Sequence, residues 1–392
     1  MFSLDNFYKI LYANFCKDQN FSMFYFLNFN LENSDAIEIS SGPEGKTTLK
    51  SPQIIFYDQE PLHPFVFVSL ILQDVQSLTS FKYPKILANS EHSDIKNNII
   101  KEYKFVDWYY FFHGFAALEW YRDFKYYPKV ETQFSKVFIS LNHLTTKDRS
   151  YRLNLVANLK AENLLDHGHV SLHCSKQALK TEIFNKGSRL SLESKKFIIQ
   201  NLTPLNLPLV LDTKLPYGEL SSKLNLKLES SALWNVVSET VYYDQRLHLT
   251  EKIFKPIVAR RPFILVAAPG NLAYLKSYGF RTFDRWIDES YDFEPDPDLR
   301  IKLVTKELKK LCLLTFEQLQ EMHQEMQEIL DYNFNHFYNG FKELVVSELV
   351  DNFESACLQI NNGRSYHNPS PYHQRLDYPK NFFKEAKQRL SQ

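Results

Sequence analysis

Residues 248–279 read HLTEKIFKPIVARRPFILVAAPGNLAYLKSYG, and this stretch decides the fold. It opens on the triplet Thr250-Glu251-Lys252 and continues through an apolar segment into a buried-strand pattern, Phe263 to Ala268. It then turns at Pro269 and Gly270 into another amphipathic segment. Helix, strand, turn, helix is an α/β signature. Just upstream, WNVVSET at 234–240 is an apolar run that ends in polar residues, with Glu239 near its carboxyl end. Ligands of open α/β sheets sit outside the carboxyl ends of the strands, where helix N-termini offer N–H groups to anions. Glu239, Thr250, Glu251 and Lys252 are therefore expected to converge on one crevice.

Each residue type in that group has a chemical use. Thr250 can cap the following helix, Glu251 can accept two hydrogen bonds from a ribose diol, and Lys252 can set a positive charge against a diphosphate. The same triplet is also an ordinary helix start, with a Thr N-cap, a first-turn Glu favoured by the helix dipole and a solvated Lys. Pro256 would cost a helix interior roughly 3 kcal/mol unless the regular helix begins near it. The triplet is thus expected on a loop or a distorted first turn.

SET, a gap, then LTEK followed by an apolar helix and RRPFILV resembles the donor-binding motif of the fucosyltransferase-like glycosyltransferases with the GT-B fold. The resemblance is strongest over residues 231–283. The chain also resembles uncharacterised glycosyltransferase-like proteins encoded by phages and bacteria. It implies an α/β protein of two Rossmann-like domains facing a cleft, with C-terminal helices crossing back. It also implies a nucleotide-sugar donor held by the second domain and an inverting transfer.

At 392 residues the chain is long for one core and comfortable for two domains. Hydrophobic residues at 44% and charged residues at 23% exclude disorder over most of its length. Lys plus Arg equals Asp plus Glu at 46 each, which argues against a partner held chiefly by phosphate neutralisation. The four cysteines, Cys16, Cys174, Cys312 and Cys357, form no CxxC pair, which suits a reducing compartment and indicates neither a zinc site nor a disulfide framework. No run of about 18 apolar residues occurs, so a cytoplasmic protein without a transmembrane segment is expected.

Residues 1–130 read as the first, acceptor-side domain. Phe24 to Phe29, Gln53 to Tyr57 and Lys85 to Ala88 are strand-like, while Leu62 to Val75 and Asp94 to Tyr103 are helix-like. Repeated strand then helix argues a parallel sheet. The polar stretch Glu32 to Leu49, with SSGPEGKTT, reads as a surface loop without P-loop spacing. Polar clusters follow at YDQEP, NSEHSD and FFHGF. Transfer to a hydroxyl needs one base, a carboxylate or His, and Glu60, Glu91, Asp58 and His113 are the candidates, with Glu60 and Glu91 first. The resembled family takes a Glu of its first domain for this role, but no local motif assigns it here.

Residues 122–135 make a plausible crossing, and 136–315 read as the donor-binding domain. KVFISL at Lys136 to Leu141 feeds a helix from Arg149 to Leu159 through NHLTTKDRSYR. The resemblance places a basic residue of this junction on the donor diphosphate, and Arg149 or Arg152 matches it; solvated helix-start charges are the alternative. Residues 161–230 look less regular. His167, His169 and His173 lack the spacing and carboxylates of a metal site, and EPDPD at Glu294 to Asp298 reads as a surface turn, so no metal or other cofactor is expected. Residues 279–292 read as a loop able to close over a sugar or to pack between domains. Residues 316–361 are helical, with a core-facing stripe from Leu319 to Val345, and 362–392 form a polar tail.

The reading is a metal-independent, inverting glycosyltransferase moving sugar from a nucleotide-sugar to an acceptor glycan or other hydroxyl. Two rivals stand beside it: transfer to a modified base of phage DNA, recognised by flipping, and a non-catalytic sugar-nucleotide-binding protein. The nucleobase, the sugar and the oligomeric state stay open at this stage.

Overall fold

The computed structural model describes residues 22–25, 53–63, 85–127, 134–211 and 222–363, with positions 384, 387 and 388. The chain divides into two compact units, Met1–Glu119 with Lys342–Gln392, and Trp120–Phe341. The segment 316–361 is accordingly shared, its first part going with the second unit and its last with the first. Both units are α/β with parallel sheets.

In the first unit the strands are β1 (Ser22–Tyr25), β2 (Gln53–Tyr57), β3 (Lys85–Asn89) and β4 (Phe105–Tyr109), side by side in that order. The expected strand from Phe24 thus begins at Ser22, and 26–29 lie outside the described residues, as do the loop 32–49 and the helix expected over most of 62–75. Helix α1 (Asp94–Tyr103) takes the predicted span because Ser93 caps it, its hydroxyl accepting from Lys96 N at 3.1 Å. Ile55, Tyr57, Leu62, Leu87, Ile99 and Phe105 form a buried cluster. Helix α2 (Phe112–Trp120) follows β4 directly, so FFHGF lies just beyond that strand's end and opens the helix.

The second unit holds β5 (Lys136–Ser140), α3 (Tyr151–Ala161), β6 (Gly168–Val170), α4 (Lys176–Phe184), α5 (Leu192–Leu202) and β7 (Ala232–Ser238). These are followed by α6 (Phe254–Val258), β8 (Phe263–Val266), α7 (Asn271–Ser277), α8 (Pro297–Cys312), α9 (Phe316–Glu325) and α10 (Gln327–His336). The sheet runs β8-β7-β5-β6, all parallel, and every residue of β7 is buried. A central parallel strand covered on both faces reads as a continuous apolar run, which is what ALWNVVS is.

Two expectations are overturned here. EPDPD is a helix start, because Asp296 caps α8 (Oδ1 accepts from Leu299 N at 2.7 Å) and Pro297 occupies the first turn, where a missing N–H costs nothing. Residues 279–292 are pinned within their unit. The Asn333 amide of α10 brackets Arg281, accepting its N–H at 2.9 Å and donating to its carbonyl at 2.8 Å, while Glu289 accepts from Lys276, Thr282 and Phe283. That bracing is unlike a closing lid. The helical C-terminal stretch is also interrupted, by a π turn at Phe337–Phe341, before α11 (Lys342–Gly363).

α11 belongs to the first unit and packs on β4. Trp108, fully buried, donates its indole N–H to the Leu349 carbonyl at 3.1 Å and meets Phe353 with ring centroids 4.3 Å apart. Glu348 accepts from Phe111 N, and Asn352 donates to the Tyr109 carbonyl.

Candidate functional site

In the second unit the chain leaves β5 toward β6 on one side and later returns to β7 on the other. The carboxyl ends of β5 and β7 therefore form a topological switch point, the place where open α/β sheets bind ligands. The segments that follow those two strands hold Arg149 and Arg152 after β5 and Glu239, Thr250, Glu251 and Lys252 after β7.

Glu239 follows β7 and is fully buried. Its Oε2 accepts from the Thr250 hydroxyl at 2.5 Å and from Thr240 N at 3.2 Å, while Oε1 accepts from Thr250 N at 3.3 Å. Thr250 has the extended backbone of an N-cap and also accepts from Lys252 N at 3.5 Å and Lys252 Nζ at 3.1 Å. Its one donor and two acceptor positions are all used. The Lys252 ammonium reaches Thr240 Oγ1 at 3.4 Å and Glu251 Oε1 at 3.0 Å as well. Sequence reasoning thus brought together four residues that the fold does join. Lys252 keeps 32% of its side chain exposed, whereas Glu251 keeps 4%.

Glu251–Ile253 form a single 3-10 turn, and the regular helix α6 starts only at Phe254. Pro256 therefore falls in the first helical turn, where its missing N–H is tolerated. The distorted turn expected from Pro256 is the observed one. The amphipathic segment after β8, by contrast, offers its first amides to protein: Gly270 adopts a left-handed conformation (φ 81°) ahead of α7, and buried Asp292 accepts from Leu272 N and Ala273 N at 2.9 and 3.1 Å. Burial raises the Asp292 carboxyl above its ordinary range, against the pull of those amides.

The two arginines of the β5–α3 junction part company. Arg152 is buried, and its guanidinium donates to the carbonyls of Leu144 (2.9 Å), Ser238 (2.8 Å) and Glu239 (3.1 Å). It ties the loop after β5 to the end of β7, so its expected place on a phosphate is taken by backbone. Tyr151 adds its hydroxyl to the Glu239 carbonyl at 2.5 Å and stacks on Tyr242 with centroids 4.0 Å apart. Burial drives the Tyr151 phenol up, with Arg152 opposing, so it stays a neutral donor. Arg149 is half-buried and Lys147 is exposed, the latter with a left-handed backbone (φ 54°). Arg189, which the sequence reading did not single out, lies 4.8 Å over the Tyr243 ring and pairs with Asp244 at 2.7 Å.

In the first unit the four candidate bases gather around one segment, Asp58 to Leu62. Asp58, buried, accepts a short hydrogen bond from the Tyr110 hydroxyl. The His113 imidazole Nε2 lies 2.9 Å from the Gln59 carbonyl. Glu91, also buried, accepts from Leu62 N at 2.9 Å through Oε2 and from the Ser93 hydroxyl at 2.5 Å through Oε1. Three of the four thus hold the loop in shape, and Glu60 between them is exposed. Beside them Lys96 donates to Asp107 at 2.8 Å, and Asp107 accepts from Asn89 at 2.7 Å.

His173, after β6, meets His143, after β5, with ring centroids 4.5 Å apart. Among the described residues no group of three His, Cys, Asp or Glu is placed to hold a metal ion, and no helix is long and apolar enough to cross a membrane. Compared with protein-family models, curated proteins and solved structures, the chain matches none.

Proposed function

We propose that the protein is a GT-B glycosyltransferase that takes its sugar from a nucleotide-sugar donor and uses no metal. The observation that carries the reading is Lys252: a partly exposed ammonium held beside the switch point by Thr240, Thr250 and Glu251. A cation so placed supplies the charge compensation that a leaving nucleoside diphosphate needs. In this reading the diphosphate displaces the weak contacts to Thr240 and Thr250, with Arg149 as a second cation. Arg152 and Glu239 act behind it as positioning residues, one bracing the strand end and the other orienting Thr250. Glu251 would have to turn outward to meet a ribose.

For the acceptor side, Glu60 is favoured as the base, because an exposed carboxylate can reach an incoming hydroxyl while Asp58 and Glu91 are buried. Inversion follows from the family resemblance.

The test is thermal unfolding of the whole protein against UDP, GDP, ADP, TDP and CMP, with Lys252→Ala as control. A nucleotide at about 100 times its Kd stabilises by roughly 2.7 kcal/mol, enough to move Tm by several degrees. A shift with one nucleotide that disappears in the variant supports the reading. If none of them shifts Tm, the Thr-Glu-Lys segment is an ordinary helix start and the donor assignment falls.

A further inference from the structure

Residues 176–200 carry six cations, Lys176, Lys180, Lys186, Arg189, Lys195 and Lys196, and two carboxylates, Glu182 and Glu193. Glu182 is buried and Arg189 pairs with Asp244, so in a chain of zero net charge the lysines of this part make a basic surface. The basic residues are spread over α4, α5 and the turn between them, and no compact run betrays them in the sequence.

The hairpin also exposes apolar side chains it has no need to expose. α4 buries Leu179 and Ile183 and turns out Lys176, Lys180 and Phe184, one helical ridge at steps of four. α5 buries Ser194, Ile198 and Leu202 and turns out Leu192, Lys196 and Ile199, at i, i+4 and i+7. Phe184 is 78% exposed, Leu192 76% and Ile199 42%. Lys195 Nζ donates to the Asn185 carbonyl at 3.3 Å, which ties the residue that ends α4 to the first turn of α5, the two ends that carry Phe184 and Leu192.

Side chains three-quarters exposed are protrusions. A protein partner would need matching pockets for them; a fluid bilayer needs none. Each protruding apolar residue has lysines one turn away, the arrangement in which apolar tips enter the headgroup–acyl boundary while ammonium groups stay at lipid phosphates. We infer that the α4–α5 hairpin is a docking surface for an anionic membrane. Phe184, Leu192 and Ile199 insert, and Lys176, Lys180, Lys186 and Lys196 pair with headgroups. This inference stands on the hairpin alone and survives if the donor assignment falls.

The experiment is sedimentation of the full-length protein with phosphatidylcholine vesicles, with and without phosphatidylglycerol, at low and high salt. Binding is expected only with the anionic lipid and is expected to weaken as salt rises. Phe184→Ser with Leu192→Ser should lower the partition coefficient about tenfold or more, and Lys180→Glu with Lys196→Glu should lower it about fivefold per lysine. All four positions are exposed, so an unchanged Tm certifies the fold of each variant. Absence of binding to anionic vesicles, equal binding to neutral ones, or apolar and charge variants that bind like the parent would overturn the proposal. So would sedimentation velocity showing that the apolar pair instead dissolves a dimer, which would make the hairpin a self-association surface.

Discussion

The Thr250 hydroxyl donates to the Glu239 carboxylate across 2.5 Å, joining the triplet to the end of β7. Because Glu239 is fully buried, the loss of a donor leaves part of its charge uncompensated. Thr250→Val is expected to destabilise the protein by about 1–3 kcal/mol, which combines the lost hydrogen bond and the lost cap. Thr250→Ser keeps the hydroxyl and should retain most of the stability. Urea unfolding of both variants decides; a valine variant as stable as the parent would show that the contact contributes nothing.

Arg152 and Arg149 should separate by readout. Arg152→Met strips three backbone carbonyls of their buried partner and is expected to cost about 3 kcal/mol or more. Arg149→Ala should cost under about 1 kcal/mol of stability yet weaken nucleotide binding about tenfold, the scale of one charge-assisted contact to phosphate. Denaturation and ligand titration on the same two proteins test this. An Arg149 variant with unchanged affinity removes that residue from the donor site.

These arginines also mark the limit of what the sequence shows. Both stand at a helix start after a strand, and nothing local says that one is turned inward onto Ser238 and Glu239, residues 86 and 87 positions away. The strands β2, β3, β5 and β8 are legible as apolar runs, and α1 through its Ser93 cap. β4 was not legible, because Asp107 interrupts FVDWY with a charge that is satisfied only in the fold, by Lys96 and Asn89. α8 was hidden by its own prolines, which resemble a turn until Asp296 is seen capping Pro297. The cluster of Glu239, Thr250, Glu251 and Lys252 was legible since strand-end and cap chemistry are local; the bracing of 279–292 was not, since Asn333 supplies it from a distant helix.

Trp108 makes α11 necessary to the first unit. Its indole N–H and ring are both satisfied by this helix, and Phe111 and Tyr109 lean on Glu348 and Asn352. Ending the chain after Phe341 should expose a buried aromatic face and leave β2, β3 and β4 without stable packing. Hydrogen exchange is expected to show lost protection in those strands while β5, β7 and β8 stay protected. Unchanged protection in β3 and β4 would mean the sheet stands without the helix.

His92 gives the stability a predictable dependence on pH. Its ring stacks on Tyr109 at 3.8 Å, and burial first, then the Lys96 ammonium, hold its pKa down to about 4 from 6.5, against the pull of Asp107 and Glu91. A depressed folded-state value means the neutral ring is the folded form. Its stabilisation is complete above pH 6.5 and is lost as the pH falls from 6.5 through about 4. The full shift corresponds to about 3 kcal/mol as an upper bound, since the ring keeps partial contact with water. His92→Gln cannot take up the proton, so its unfolding free energy should fall less steeply than the parent's over that window. Parallel curves for the two proteins from pH 6.5 to 4 would show that the imidazole titrates alike in the folded and unfolded chain.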